Sequence, residues 1–322
     1  MEIQRKMQIF NIKTLSKEEG WRSQTGLEAV QVPRDGGDHH KILPQKESAW
    51  ILRTNALGPP GLNDKNDMSF YHEQGFDPRQ QLEDYFSGKE EMAFSFDALK
   101  FPIENLIKTF TEGHIKGDVM IDFCTGPLVH HLYAASNFFK HIIVLKFTDR
   151  CIMELKRWLD SRTGAFDWEH AAKLHVELGG SSENFQDKDL KVRSAIQHVM
   201  KCNFEKENVT DPIVLPPADC IITAWLLGII SKDHDDYRRY LRKLSGLLKP
   251  GGHLIICGCL GTTYYLVGKD KFRAFPYDED FIRKALAGEG FVIDKCVINE
   301  RKAVSDLTDY KSLIFIAAHK EK

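Results

Sequence analysis

The segment Lys116–Leu128 contains the residues that most clearly indicate a binding site, because a strand-like run there is followed by a turn of small residues. Val119–Ile121 predict a buried strand, Asp122 follows at its carboxyl end, and Thr125–Pro127 predict a turn into a helix. Open α/β sheets bind ligands at this end of their strands, and loops of this kind hold nucleotide cofactors. Such a loop usually has glycine two residues after the acid, so that the backbone can approach the ligand. Cys124 takes that position here, so we predict a nucleotide site with an altered contact.

The strands and helices that hold this loop are predicted from alternating sequence patterns, which extend to the end of the chain. The predicted strands are Val119–Ile121, Ile142–Leu145, Leu174–Val176, Cys220–Ala224, His253–Cys257, Phe291–Val297 and Leu313–Ala317. Such alternation is typical of a parallel sheet with helices on both faces. The last two strands follow a helix predicted over Asp278–Glu289, and the polar stretch between them is too short for a helical crossover. They should therefore pair antiparallel. The predicted fold class is α/β: a Rossmann-like sheet, mostly parallel, with a C-terminal antiparallel hairpin.

The character of the chain changes near Met68. Residues 1–67 mix Gly-Gly and Pro-Pro pairs with scattered charges and show no sustained periodicity, so we expect a disordered N-terminal extension. Asp77-Pro78 then predicts a helix start, and a second helix is expected over Phe101–Phe110 with Pro102 in its first turn. We expect residues 68–322 to form the folded domain.

Composition narrows the class of partner. The chain has 322 residues, 42% of them hydrophobic, and a formal net charge of -2, which favours neither nucleic acid nor an anionic membrane. A small-molecule ligand and a monomeric state are the expectation. No apolar run reaches the roughly 18 residues that span a bilayer, and the first residues lack a secretory core. We therefore expect a cytoplasmic protein, with a transit peptide over Arg5–Lys13 as the weaker alternative.

Cysteine and histidine patterns give little support for a metal centre. The seven cysteines lie mostly in strand-like stretches and form no C-x-x-C pair, which predicts buried reduced thiols. Cys257-Gly-Cys259 has no second Cys/His pair nearby in the sequence, so no metal is predicted. Solvated or packing roles are expected for the pairs His39-His40 and His130-His131.

Several motifs occur in an order and spacing that resemble one known family. They are Asp77–Arg79 with Leu82–Tyr85, Asp122–Pro127, Ala165–Trp168, Leu215–Cys220, Leu247–Gly252 and Thr262–Gly268. From residue 69 to the C-terminus the chain resembles the nicotinamide, indolethylamine and phenylethanolamine N-methyltransferases, most closely the first two. The resemblance implies a class I methyltransferase fold. It also implies methyl transfer from S-adenosyl-L-methionine (SAM) to a nitrogen of a small amine or pyridine.

The resemblance also implies a set of cofactor-binding positions, several of which depart from the family pattern. They are Tyr85, Phe86, Asp122, Cys124, Thr125, Gly126, Lys146, Cys151, Asn203 and Phe204. Lys146 stands where the family has an acid that accepts both ribose hydroxyls. Losing two charge-assisted hydrogen bonds of about 1.5–3 kcal/mol each would weaken binding by roughly two to four orders of magnitude. Asp149 could take over this role only in a different loop.

Further departures lie at the methionine end and at the adenine. Gln81 and Phe86 align with helical tyrosines of the family, although Tyr85 persists between them, and His130 replaces another tyrosine. Asn203 keeps an acceptor oxygen for the adenine amino group but lacks the charge of the family's acid. The sequence therefore predicts weakened contacts along the whole cofactor.

The acceptor side of the predicted site also differs. Gly228 and Gly258 stand where family members place acids that orient the amine, whereas Thr262 and Tyr265 remain as candidate substrate contacts. Tyr264-Tyr265 could equally pack on the core from a helix near the sheet edge. No catalytic residue is assigned, since transfer from a sulfonium mainly needs an in-line approach.

Three functional hypotheses stay open at this point. The chain could be an active SAM-dependent N-methyltransferase with an altered pocket. It could also be a catalytically impaired pseudoenzyme that binds or regulates. A dinucleotide enzyme using Lys146 on a 2′-phosphate is the third, although the chain lacks a full G-x-G-x-x-G motif.

Overall fold

The computed structural model describes residues 75–87, 93–179, 184–302 and 305–321, with side chains from residue 97 onward in the second range. The predicted N-terminal extension and the pair His39-His40 lie outside these ranges, so the domain boundary near Met68 stays a prediction. No helix in the described part combines the length and apolarity needed to cross a bilayer.

The helices of the described residues cover the sheet, and the first two precede its first strand in the chain. They are α1 (Pro78–Phe86), α2 (Ala93–Thr111), α3 (Leu132–Ala135), α4 (Asp149–Leu159), α5 (Glu169–Leu178), α6 (Phe185–Ala195), α7 (Leu227–Ile230), α8 (His234–Leu247) and α9 (Glu279–Gly288). Asp77 begins α1 as predicted, because its side chain accepts hydrogen bonds from the N–H groups of Arg79 and Gln80. Asp278 caps α9 in the same way.

The strands form one large sheet and one small ribbon. They are β1 (Gly117–Asp122), β2 (Phe139–Lys146), β3 (Ile196–Lys201), β4 (Ala218–Ala224), β5 (Leu248–Leu260), β6 (Tyr264–Val267), β7 (Asp270–Arg273), β8 (Phe291–Glu300) and β9 (Ser312–Lys320). The large sheet has the order β3-β2-β1-β4-β5-β9-β8, and β6 pairs with β7. β1 to β5 pair in parallel, whereas β9 runs antiparallel to both β5 and β8. The Rossmann-like fold class with its antiparallel hairpin is therefore confirmed.

Apolar side chains on both faces of the central strands hold this sheet between its helices. Met120 and Ile222 pack on one face, and Ile121 and Ile221 pack on the other. These four side chains are completely buried. At roughly 1.5–3 kcal/mol per buried large apolar side chain, this two-faced burial accounts for a rigid strand edge at which side chains can be positioned.

Two predicted elements were wrong, and one strand was not predicted. Leu174–Val176 is part of helix α5, and the third strand is Ile196–Lys201. A three-residue apolar run does not distinguish a strand from a helix, and β3 is an edge strand whose half-exposed polar residues hide its alternation. Tyr264 and Tyr265 lie on strand β6 and not on a helix.

Helix α2 begins at Ala93, well before the predicted start, and Pro102 lies in its interior. A proline there removes one helical hydrogen bond, but the buried residues Leu99, Ile103 and Leu106 pack on the core on both sides of it. Tertiary packing thus overrides the local signal that placed the helix start at Phe101.

Candidate functional site

A buried ion pair joins the carboxyl ends of β1 and β2. Lys146 Nζ donates to Asp122 Oδ2 at 3.1 Å and to the carbonyl oxygen of Cys124 at 3.2 Å. The Asp122 side chain is fully buried and that of Lys146 is 1% exposed. Lysine at this strand end therefore turns inward beneath the loop instead of towards a ligand. It is also unavailable for a 2′-phosphate, which removes the basis of the dinucleotide hypothesis.

His131 and Cys124 complete this buried cluster. His131 Nε2 lies 2.7 Å from Asp122 Oδ1 and 3.3 Å from Cys124 Sγ, which also accepts from the N–H of Ala224 at 3.2 Å. Burial alone would raise the pKa of Asp122, but Lys146 and His131 hold it far below its ordinary value. The same carboxylate raises the pKa of Lys146 despite burial. Burial raises the pKa of the Cys124 thiol well above its usual range, so the thiol stays protonated.

The sequence did not point to this cluster as a metal centre, yet three of its side chains have suitable ligand atoms. Those of Asp122, Cys124 and His131 all lie within 4.8 Å of one another. Two features argue against a metal here: the Lys146 ammonium already balances the carboxylate, and the cysteine is protonated. The cluster is best described as an ion pair extended by a histidine and a thiol.

Gly126 brings the turn of the cofactor loop against helix α1. Its φ is +59°, a conformation that favours glycine, and a Cβ there would overlap Gln81 Oε1. Gln81 is 4% exposed, and its Oε1 has no hydrogen-bond partner within the described residues. The glutamine amide thus packs directly on the turn that the family resemblance assigned to the cofactor.

An aromatic stack lies beside this turn. The His130 ring stacks on Phe86 at 5.0 Å and on Trp168 at 5.8 Å between ring centroids. Neither ring nitrogen of His130 has a partner among the described residues, and burial holds its pKa well below the ordinary value. His130 and His131 are both fully buried, so the solvated role considered for this pair is excluded and packing remains.

The other predicted cofactor contacts are scattered. Asn203 is exposed, and its Oδ1 accepts from the N–H of Glu205 at 2.8 Å. Phe204 is buried against Phe123, with ring centroids 5.4 Å apart. Cys151 is buried in a small cluster with Tyr265. The exposed Asp149, considered as a replacement ribose ligand, pairs with Lys201 at 2.8 Å.

A cavity opens next to the loop, between α1, the ends of β4 and β5, and the segment after β7. Of the predicted cofactor positions, Tyr85, Phe86 and Thr125 line it, whereas Asp122, Cys124, Gly126, Lys146, Cys151, Asn203 and Phe204 do not. All four predicted substrate positions, Gly228, Gly258, Thr262 and Tyr265, line it. The structure thus brings the acceptor residues together around the cavity.

A single tyrosine fills the space beside both glycines. A Cβ at Gly228 would lie 2.9 Å from Tyr277 Cε1, and a Cβ at Gly258 would overlap the Tyr277 hydroxyl. Gly258 lies within β5 and not after it. Tyr277 is 5% exposed, and burial raises its pKa, so it is a neutral phenol. The space into which acids at these two positions would project is therefore filled by the Tyr277 side chain, which carries no charge.

Sequence reasoning missed Gln81 as a cavity residue, and it also missed Trp225, Phe275 and Tyr277. Trp225 directly follows β4, has a φ of +56°, and donates its backbone N–H to the carbonyl of Cys257 at 2.8 Å. Its place immediately after a predicted strand was a usable signal. Tyr277 carried no such signal, because its role depends on two glycines distant in sequence.

The sheet order, the loop after β1 and the terminal hairpin define the class of protein: a class I methyltransferase-type α/β domain. Comparison with known families matches residues 67–321 to the NNMT/PNMT/TEMT family, and the chain belongs to that family.

Curated relatives agree with this assignment. Indolethylamine N-methyltransferase of Oryctolagus cuniculus is 35% identical over 250 residues, which is 78% of this chain and 95% of that protein. Nicotinamide N-methyltransferase of Homo sapiens is 32% identical and covers 76% of this chain and 93% of its own length. Human phenylethanolamine N-methyltransferase is 28% identical, covering 77% of this chain and 89% of its own length. The predicted closeness to the first two is confirmed.

The family uses SAM as its methyl donor, and the described residues do not fit this cofactor well. The strand end that should present a carboxylate to the ribose presents Lys146, whose ammonium faces Asp122. The turn that should approach the methionine part packs against Gln81, and a buried thiol occupies the place of the first glycine.

Proposed function

We propose that this chain is an N-methyltransferase-family protein that has lost efficient SAM-dependent methyl transfer and retains the acceptor half of the site for binding a small molecule. The buried Lys146–Asp122 ion pair carries the proposal. From the sequence we propose that the binding site belongs to a single domain over residues 68–322. We also propose that the protein is cytoplasmic and monomeric.

The energy of the ion pair supports this choice. Binding the ribose in the family manner needs an acceptor at position 146, and lysine has only donors. With the ammonium held inward, the two ribose hydrogen bonds are lost. Moving it out to donate to the ribose would instead leave the buried Asp122 without its lysine partner, which costs about 3–5 kcal/mol. Because each 1.4 kcal/mol is a tenfold change in affinity, the cofactor half is strongly weakened.

The acceptor half supports retained binding. The cavity brings together Thr262 and Tyr265 with the aromatic side chains of Trp225 and Phe275. A concave, mostly apolar space with a few polar groups is the usual form of a small-molecule site.

An active N-methyltransferase with altered pocket chemistry is the second candidate. One observation favours it: Thr125 of the cofactor loop and Tyr265 of the acceptor side line the same cavity, so a donor and an acceptor could meet there. Methyl transfer needs mainly alignment at a near-attack distance, so the absence of a base does not by itself prevent it.

Titration calorimetry of the full chain with SAM and with its demethylated product tests the proposal. We expect dissociation constants on the order of 10⁻⁴ M or weaker for both ligands, because neither finds a hydrogen-bond acceptor for its ribose at position 146. Low-micromolar SAM binding, or methyl transfer to nicotinamide or tryptamine, would favour the active enzyme.

A repaired variant sharpens this test. Cys124→Gly, Lys146→Asp and Asn203→Asp together should bind SAM measurably tighter than the parent, and by more than the single changes combined, because the family resemblance places all three positions on one ligand. Lys201→Asp is the control, since it adds an acid at an exposed strand end nearby. Equal SAM binding by a well-folded triple variant and its parent would show that the pocket geometry itself has diverged.

A further inference from the structure

We infer that the cavity selects uncharged planar aromatic molecules and discriminates against protonated amines. This inference rests on the proposed function, because it names the ligand class of the acceptor half. The relatives named above are named after amines or nicotinamide. This chain differs from the family pattern at Gly228 and Gly258, the two positions that would contact a cationic ligand.

The charge of the cavity is the first argument. None of the described residues that line it carries a carboxylate, an ammonium or a guanidinium group. The two positions matched to the family's acids are Gly228 and Gly258. A primary ammonium moved into such a site loses its hydration without gaining a counter-ion, which costs several kcal/mol.

Tyr277 keeps this part of the cavity uncharged. Its ring and hydroxyl occupy the space into which a side chain at either glycine would project. Because burial keeps the phenol protonated, it offers a dipole and no negative charge. A cation cannot obtain a counter-ion there by deprotonating this residue at neutral pH.

The aromatic walls explain the preference for a planar ligand. Tyr85, Phe86, Trp225, Tyr265 and Phe275 line the cavity. Aromatic faces also attract cations, but this attraction is weaker than the desolvation cost of an unpaired primary ammonium. Stacking of an uncharged ring carries no such cost.

Buried polar atoms of lining residues supply specificity. Gln81 Oε1, Thr125 Oγ1, Thr223 Oγ1, Trp225 Nε1 and the Tyr265 hydroxyl have no hydrogen-bond partner within the described residues. Unpaired buried polar atoms are destabilising, so a ligand with one donor and one acceptor gains by approaching them. Neutral heteroaromatic alcohols and amides have this composition.

Matched pairs of probes test the inference. Tryptophol and tryptamine share an indole ring and differ in a hydroxyl against a protonated amine at pH 7. Nicotinamide and 1-methylnicotinamide differ by one methyl group and a positive charge. Titration calorimetry should show at least tenfold tighter binding of the neutral member of each pair. Equal or tighter binding of either cation would overturn the inference.

A designed reversal adds a second readout. Gly258→Asp with Tyr277→Ala should shift the preference towards tryptamine by tenfold or more, because an acid then fits beside the ligand. Tyr277→Ala alone, which enlarges the cavity without charge, should keep the neutral preference. If a variant fails to fold by circular dichroism, the pair ratios of the unaltered chain still decide the question.

Failure of the inference is distinguishable from failure of the proposed function. Tight SAM binding contradicts the proposed function whatever the probe ratios are. Absence of binding by all four probes contradicts the retained acceptor site, and a cation preference contradicts only the ligand class.

Discussion

At the scale of single residues, Lys146 has a structural role at a strand end where the family resemblance implies a ribose-binding acid. A lysine there could have remained exposed. Instead it satisfies Asp122, which would otherwise be a buried carboxylate held only by His131. The side chain at position 146 therefore stabilises the end of the strand from within.

Removing this ammonium should destabilise the fold. For Lys146→Met we expect a loss of about 3–5 kcal/mol, because an uncompensated charge stays buried, and a fall in Tm of roughly 10 °C for a domain of this size. Thermal denaturation followed by circular dichroism measures it. Lys201→Met is the matched control at a lysine of the adjacent strand that pairs with the exposed Asp149, and its Tm should change by about 1 °C or less. Similar stability of both variants would show that the ion pair contributes nothing.

The Lys146–Asp122 ion pair should also make the stability of the fold depend on pH. The pKa of Asp122 is lowered in the folded state, so its contribution to stability is full above the unfolded value of about 4 and is lost as pH falls below it. Lys146 has a raised pKa, so its contribution is lost only as pH rises above about 10. Tm should therefore fall more steeply between pH 5 and pH 3 in the parent than in Asp122→Asn. Asp270→Asn, at an exposed aspartate of β7, should keep the parental slope.

At the scale of elements, helix α1 and the ribbon β6–β7 bound the cavity together. The Tyr85 hydroxyl donates to the carbonyl of Leu266 at 2.7 Å and approaches that of Leu307 at 3.0 Å. Asp84 Oδ2 accepts from the N–H of Gly268 at 2.6 Å. These bonds attach a helix near the start of the domain to a ribbon near its end, so the opening of the cavity depends on contacts between distant segments.

Tyr85→Phe tests this connection. Loss of the hydroxyl leaves two buried carbonyls less well satisfied, so we expect a loss of about 1–2 kcal/mol and a Tm lower by roughly 2–6 °C. Amide exchange of residues 264–267 should increase at the same time, because the ribbon is released from the helix. Tyr264→Phe, which keeps the ring that Lys271 contacts, should leave both quantities unchanged. Unaltered exchange in Tyr85→Phe would show that α1 does not secure the ribbon.

At the scale of the whole molecule, the sheet is complete and the altered positions lie together at one of its edges. Both faces of the seven-stranded sheet are packed, whereas the edge beside the loop after β1 is filled by Lys146, Cys124 and Gln81. The fold of the family is therefore present together with different side chains at that edge.

A truncation tests the boundary of this scaffold. A chain that begins at Met68 should keep the Tm of the full chain, because residues 1–67 have the composition of a segment with little buried surface. A Tm lower by more than about 4 °C, on the order of 1 kcal/mol or more, would show that the extension packs on the domain.

Sequence alone was sufficient to predict the fold class and the family. Alternating apolar strands, the Leu247–Gly252 motif and the short connection before β9 are local patterns, and they predicted the mostly parallel sheet and its antiparallel hairpin but not the strand order. They failed at β3, where an edge strand buries too little to be distinguished from a helix.

Only the tertiary structure decided where charged and bulky side chains lie. Lys146 faces Asp122 because their strands are neighbours in the sheet, although they are 24 residues apart in the chain. Tyr277 lies beside Gly228 and Gly258 because the segment after β7 packs on the ends of β4 and β5. A sequence shows which side chains are missing from a site. The packing of distant segments determines what occupies their place, since those energies depend on contacts that no local pattern encodes.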